Sequence, residues 1–458
     1  MNQVSSDRME QAQSLPFDMP PIQTPSFSDR TFDVRSFGAV GDGATLNTAA
    51  FGRAIKACHD AGGGMVLVPA GTWLTGPIHM RSNVNLRLEK EALVRFSTRC
   101  ADYLPVVFTR WEGVECYNYS PLIYAHDCRN VAVTGEGILD GQGQAWWHWK
   151  QAQQAAARAL YDAQFDGVPV ERRIYGTEVA ALRPQFFQPI HCRNVLVEGV
   201  TFSNGPMWTI HPVYCENVIV RAVTVNSNGP NTDGLNPDSC RNVLVENCSF
   251  STGDDCIAIN SGMNEDGWRV RRPCENVLIR HCRMSEGHGA VAIGSGMSGG
   301  VRNVYVHDCH FSGGDQGIRL KSMRGRGGIV ENVYFANIHI SSMRREAIVL
   351  SMFYGSSTAA SRSDAPPAFR HIHIRDITCD SASMAIDICG LSEQRIEHVT
   401  LERVRINAVQ GVRCREINGL TLRDVTGVVQ EDPLFCCSNV KGLNVVDMAL
   451  EQKSPEDS

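Results

Sequence analysis

The sequence predicts an all-β chain wound as a single-stranded right-handed parallel β-helix, with an N-terminal capping helix and one helical loop insert. Three observations carry that prediction. The dipeptide Asn-Val recurs at Asn194, Asn217, Asn242, Asn276, Asn303 and Asn332, at intervals of 23, 25, 34, 27 and 29 residues, with weaker copies at His371, His398 and Gly442. Each copy opens a short alternating run such as Val218-Ile219-Val220-Arg221-Ala222-Val223. Strands this short, repeating every 20 to 50 residues or so without intervening helices, are the signature of stacked solenoid turns. The third observation is the position two before each Asn, which holds Cys128, Cys192, Cys215, Cys240 and Cys274, then Val301, Val330, Phe369 and Ile396. A site that exchanges Cys with aliphatic residues in one chain faces inward, because free Cys packs as a small hydrophobe. A second such slot, six after the Asn, holds Cys248, Cys282 and Cys309 among Val200, Val223, Ile338, Ile377 and Val404.

In chain order, residues 1–31 read as a flexible tail and residues 32–446 as one solenoid domain, with 447–458 a C-terminal tail. Phe32 to Arg35 opens a short strand, and the glycine-rich turn Phe37 to Gly43 leads to Asn47. From Thr48 to Ala61, Phe51, Ala54, Ile55 and Cys58 recur at helical spacing until Gly62-Gly63-Gly64 stops them. A helix there covers the open end of the stack, where unpaired strand edges invite aggregation. The glycine run lacks the Lys-Ser/Thr ending of a phosphate loop and follows the helix, so it is read as a stop signal. Strands follow at Met65–Val68, Val84–Leu88 and Val131–Val133. A helical insert from about Gln142 to Arg183 then interrupts the repeat, and its Trp146, Trp147 and Trp149 point to a functional loop.

Composition limits the function. Across 458 residues the net charge is −6, which argues against a nucleic-acid binder and means that an acidic polymer would need local cations to be held. No apolar run reaches the roughly 18 residues that span a membrane. Residues Met1 to Arg30 lack the basic start and apolar centre of an export signal. Seventeen cysteines are an odd number and most fall in core slots, so they are read as reduced. The chain is therefore expected in the cytoplasm, the alternative being a secreted or periplasmic protein whose signal has been removed. No Cys-x-x-Cys pair is present, and no metal or cofactor is expected.

Reactive side chains cluster in four islands: Asn231-Thr232-Asp233-Gly234, Gly253-Asp254-Asp255-Cys256, Gly287-His288-Gly289 and Arg319-Leu320-Lys321. Singly, each has an ordinary reading as a turn, a strand end, a solvated loop or a solvent face. On successive coils about 4.8 Å apart they form one patch. Three carboxylates there supply what glycosidic hydrolysis requires, a protonated carboxyl for the leaving oxygen and a carboxylate acting on the other side of the sugar. Crowded like charges keep one carboxyl protonated. Asp254 is assigned as that acid, Asp233 and Asp255 as the groups that orient and deprotonate water, and His288 as the group that keeps the acid in its productive protonation state. Arg319 and Lys321, two apart on one strand, share a face and are read as the grip on a substrate carboxylate, with Asn231 in the same binding set.

The four islands resemble, in order, the signatures of glycoside hydrolase family 28, the polygalacturonase family, over about Phe32 to Val446. The opening Phe37 to Gly43 is similar to bacterial and plant-type members, and Leu320 stands where Ile is usual. The resemblance implies a pectin-lyase-like β-helix and metal-independent, inverting hydrolysis of α-1,4-linked galacturonic acid. With a long insert ahead of the catalytic coils it also implies exo action, on pectin or on short oligogalacturonates. Endo cleavage, rhamnogalacturonan hydrolysis, a calcium-dependent pectate lyase and a non-catalytic β-helix are the alternatives. Oligomeric state is left open.

Overall fold

The computed structural model describes residues 15–355 and 365–452. Its repeating device is the asparagine. Asn130, Asn194, Asn217, Asn242, Asn276, Asn303 and Asn332 all adopt left-handed backbone angles, with φ from 52° to 59°. Asn tolerates this conformation because its short amide bonds locally. Each Nδ2 donates to the Oδ1 of the Asn one coil earlier, from Asn130 onto Asn83 through to Asn332 onto Asn303, at 2.9 to 3.2 Å. Where the motif weakens, His371 and His398 keep the left-handed turn and stack their rings 5.0 Å apart. Five residues after each Asn comes a second left-handed position, filled by Gly135, Gly199, Ala222, Asn247, His281, Asp308 and Asn337. At Gly135 the turn is so tight that a Cβ would lie 1.9 Å from the Leu88 carbonyl oxygen.

These turns divide each coil among three parallel stacks. The first carries the Asn-Val strands, pairing Val195 with Val218, Val243, Val277, Val304, Val333, Ile372 and Val399 in turn. The second runs Phe202, Val225, Phe250, Met284 and Phe311. The third pairs Leu235 with Ile257, then Val291, Ile318 and Ile348. All of these side chains point into one continuous buried core. Both cysteine slots do so too: fourteen of the seventeen cysteines are buried and all are free, consistent with a packing role. Helix α1 (Thr48–Asp60) places Phe51, Ile55 and Cys58 in that core beside Val66 and Val84, at the N-terminal end.

Three segments differ from expectation. Residues 15–30, expected as part of a flexible tail, lie along the outside of the first stack. There Leu15, Phe17 and Met19 pack against Leu278, Tyr305 and Ala336, and Ile22 and Phe27 against Ala132, Leu196 and Ile219. A few outward-facing apolar residues on successive coils make that groove, and an outward stripe does not register in a strand-by-strand reading. Ala449–Gln452, expected as tail, pairs in parallel with Thr426–Val429 and continues the solenoid. The third concerns the insert, which forms helices α2 (Gln144–Trp147), α3 (Trp149–Ala152) and α4 (Gln154–Phe165). Its tryptophans, which pointed to a functional loop, serve as anchors, and none of them lines the cleft. Trp146 is buried edge-on against Tyr103 and Trp149, and Trp147 donates to the Gly205 carbonyl at 3.0 Å.

The irregular spacing of the repeat has a location. After third-stack strands come helix α5 (Asn264–Val270), the turn at 322–328 and the segment from Met352. Before third-stack strands, on earlier coils, come the insert and an antiparallel hairpin, Val107–Trp111 with Val114–Asn118. Among the described residues, these excursions therefore border one face.

Candidate active site

The four islands meet on the outer surface of the third stack, at its entry turns. Asp233 and Asp255 each stand two residues before the paired Leu235 and Ile257, and Gly289 and Gln316 occupy the same register on the next two coils. In the strand Gln316–Lys321, Ile318 and Leu320 point into the core, so Arg319 and Lys321 project outward by simple alternation. The carboxylates of Asp233, Asp254 and Asp255 present oxygens within 4.8 Å of one another.

Arg319 Nη1 donates to Asp255 Oδ1 at 2.9 Å and Lys321 Nζ to Asp255 Oδ2 at 2.5 Å, reaching across an intervening coil. The gap of two coils is about 10 Å, and it is crossed because the coil between is stripped of side chains. A Cβ at Gly289 would sit 2.7 Å from Asp255 Oδ1 and 3.1 Å from Arg319 Cδ. Here glycine is a requirement of the ion pair. The cations are thus already engaged with Asp255, beyond the expected grip on substrate; Lys321 still lines the cleft.

Asp254 accepts from three sides: the Asp255 backbone N–H at 3.0 Å and His288 Nδ1 at 3.1 Å on Oδ1, and Asn231 Nδ2 at 3.3 Å on Oδ2. Burial works against its charge, but the His288 hydrogen bond and the Lys321 charge outweigh burial and hold the carboxyl below its ordinary value. The same hydrogen bond raises His288. Asp233 is the opposite case. It is buried beside two carboxylates, its Oδ1 has no partner, and a single donor, Asn236 Nδ2 at 2.9 Å, serves Oδ2. Burial first and then the charges of Asp254 and Asp255 push it well up. Of the carboxyls, Asp233 is therefore the one whose neutral form its surroundings favour, whereas the crowding argument had put the proton on Asp254. His288 stabilises the charged form of Asp254, a sense opposite to the one expected. Spacing along the chain registers crowding, but depth and donors settle which acid keeps the proton.

Several residues of the site carry no island signature. Arg183, fully buried, donates to Asn231 Oδ1 at 2.8 Å, to the Pro206 and Pro230 carbonyls and to Gln153, so it fixes Asn231 against Asp254. The cleft, about 310 Å³, is also lined by Glu112, Gly113, Lys150, Trp208, Met263, Arg326 and Tyr354. Glu112 and Gly113 are the two-residue hairpin tip, both at positive φ (44° and 84°). An apolar run, one residue and Gly, then another apolar run is a hairpin signal that Trp111-Glu112-Gly113-Val114 does carry. Lys150 comes from α3.

The hairpin is pinned from beneath. Arg110 pairs with Asp238 at 2.9 Å with both fully buried, Glu115 is met by Arg269 and by the Tyr214 hydroxyl at 2.7 Å, and Arg173 reaches Asp266 at 2.9 Å. The hairpin tip is thereby a fixed part of the cleft lining. The arrangement offers three acids, an imidazole and two cations at one cleft, which is equipment for moving protons at a bond in an anionic chain.

Comparison with known proteins agrees. The sequence model of glycosyl hydrolases family 28 matches residues 175–442, and a rhamnogalacturonase A/epimerase, pectate lyase-like model matches 31–87. A probable polygalacturonase of Vitis vinifera is 31% identical over 385 residues, covering 81% of this chain and 73% of the relative. An exo-poly-alpha-D-galacturonosidase of Dickeya chrysanthemi is 26% identical over 404 residues, covering 81% and 66%. Among solved structures, a hyperthermoactive exopolygalacturonase from Thermotoga maritima superposes with a TM-score of 0.85 at 38% identity, over 89% of this chain and 93% of that one. With the carboxylates, the coil register and more than half of the chain matched by one family, the protein belongs to glycosyl hydrolases family 28.

Proposed function

We propose that the protein is an exo-acting polygalacturonase, hydrolysing α-1,4 bonds between galacturonic acid residues from a chain end. The observation that carries this reading is the three-acid floor, compensated by Arg319 and Lys321, in a cleft also lined by Glu112, Gly113 and Lys150 of the insert. Cations stand beside the acids that an anionic sugar would reach, and exo action is the reading supported by the likeness to an exopolygalacturonase at 38% identity and to an exo-poly-alpha-D-galacturonosidase at 26%.

Asp254 donates the proton to the glycosidic oxygen, and Asp233 with Asp255 takes one from water. Asp233 and Asp254 titrate as a pair. A sugar over Asp254 strips it of water, which favours its neutral form, and the proton held on Asp233 passes to it. Once Asp254 is neutral, one of the two charges that add to burial in raising Asp233 is gone, and Asp233 is the better able to act as a base. After cleavage the proton from Asp254 is on the leaving oxygen and the proton from water is on Asp233, which is the resting charge state again. His288 makes Asp254 the stronger donor by stabilising the carboxylate left behind. Hydrolysis in this scheme needs no metal, since Asp255 already carries two cationic partners.

Two measurements test this. In a time course on polygalacturonate, free galacturonate is expected as the first product, at a rate unchanged by chelator. An early ladder of intermediate oligomers would mean endo cleavage, and an unsaturated, ultraviolet-absorbing product would mean elimination. The second concerns stereochemistry. Carboxyl oxygens within 4.8 Å are closer than the roughly 6.5 to 9.5 Å that seats water between facing carboxyls. Water must then approach at the outer edge of the Asp233–Asp255 pair. Single displacement is still expected, so proton NMR in the first minutes should find the β-anomer of galacturonate. An initial α-anomer would require a covalent intermediate instead.

A further inference from the structure

Most deeply buried arginines of this chain are paid in kind: Arg110 has Asp238, Arg173 has Asp266 and Arg319 has Asp255. Arg183 has no carboxylate, but its donors meet four neutral acceptors. Arg326 also lacks a carboxylate, and its neutral contacts are fewer, Asn264 and the Tyr161 hydroxyl. Arg326 lines the cleft at 7% exposure, and among the described residues no carboxylate pairs with it. Its Nε is buried without a partner, and its Nη1 donates to Asn264 Oδ1 at 2.6 Å.

The surroundings hold the guanidinium in place without neutralising it. Asn264 is fixed in turn, donating through Nδ2 to the Tyr161 hydroxyl at 2.9 Å and through its backbone N–H to Ser298 Oγ at 2.7 Å. The Arg326 carbonyl accepts from Trp268 Nε1 at 3.0 Å. The scaffold draws on α4, α5 and the turn after Lys321, three excursions that exist only around this cleft. A buried, uncompensated cation is strongly unfavourable unless an anion arrives to meet it, and Arg stays charged under such burial. Lys150, exposed on the insert, lines the same cleft and adds positive charge there.

We propose that Arg326 binds the carboxylate of the terminal uronate in the cleft it lines, making it a specificity-determining residue distinct from the Arg319–Lys321 pair at Asp255. The inference rests on the exo-acting reading above. It assigns to one side chain the preference for an acidic terminal sugar over its neutral counterpart, because a guanidinium offers the carboxylate a two-pronged, charge-assisted contact that an ester cannot return.

The test compares trigalacturonate with the same trimer carrying a methyl ester on its non-reducing-end carboxyl. Wild-type enzyme is expected to favour the acid by about 10- to 150-fold in kcat/KM, the range of a charged hydrogen bond. Arg326→Gln should lose most of that preference by falling on the acid while holding its rate on the ester within a few-fold. If both substrates fall equally, Arg326 is a structural post and the proposal is overturned; an undiminished preference overturns it as well. Should Arg326→Gln fail to fold by circular dichroism, inhibition of the wild type decides. Galacturonate should compete at least 10-fold better than its methyl ester, and equal inhibition would overturn the proposal. Failure of the underlying reading looks different: wild type would then give an early ladder of intermediate oligomers from polygalacturonate, whatever the two trimers show.

Discussion

Asp254→Asn is expected to yield a folded protein whose kcat on polygalacturonate is lower by about 100- to 10,000-fold, the contribution of a positioned general acid. The fold should survive because the residue's packing role is slight. Its side chain is partly exposed, and an amide oxygen can go on accepting from the Asp255 N–H and from His288. Only the 3.3 Å contact from Asn231 Nδ2 is lost, at a site open to water. The amide has no proton to give to a leaving oxygen, so the loss appears in turnover. A second readout confirms that the right contact was changed. The Asp254 hydrogen bond is the foremost cause of the raised His288 value, so in Asp254→Asn the imidazole should titrate at lower pH than in wild type, as followed by NMR. A variant that folds and keeps near-wild-type turnover would remove Asp254 from the chemistry.

The solenoid was legible in the sequence because its repeat is built from residues with few alternatives. Left-handed turns select Asn, and inward slots accept only Cys and other apolar side chains, so the Asn-Val rhythm and the Cys-Val exchange fix both register and phase. The islands were legible for a related reason. Gly289 admits no side chain between Asp255 and Arg319, which stamps Gly-His-Gly on the chain as surely as the acids stamp theirs. What escaped is long-range geometry without a local pattern. Arg183, Glu112 and Arg326 matter through partners dozens of residues away, and nothing adjacent to them marks a cleft. The insert's tryptophans misled in the other direction, because an aromatic in a loop reads alike whether it faces sugar or core. Proton placement escaped as well, since it depends on the unpartnered Oδ1 of Asp233.

Asp255→Asn, one residue further on, is expected to behave quite differently from Asp254→Asn. It should lose activity and also destabilise the protein by about 3–5 kcal/mol, the usual penalty for removing one partner of a buried ion pair. Asp255 is 1% exposed, and its two oxygens serve Arg319 and Lys321 separately, with Lys321 itself at 8% exposure. Burial disfavours the Lys321 ammonium, and the Asp255 charge more than offsets this, so its pKa is raised. With a neutral amide at 255 that balance weakens, and the chain must hold two buried cations with only Asp254 as a nearby anion, or shed a proton from Lys321. Because stacked repeats need not unfold in one step, the comparison is best made on urea midpoints and unfolding rates measured side by side, rather than on one extrapolated free energy. An unchanged midpoint would mean that solvent reaches the pair and that burial is not what makes it tight. Adding Lys321→Met to Asp255→Asn should recover part of the lost stability while activity stays absent. The stranded charge is then gone and the methylenes of the lysine stem are kept, so the coupling between the two substitutions isolates electrostatics from packing.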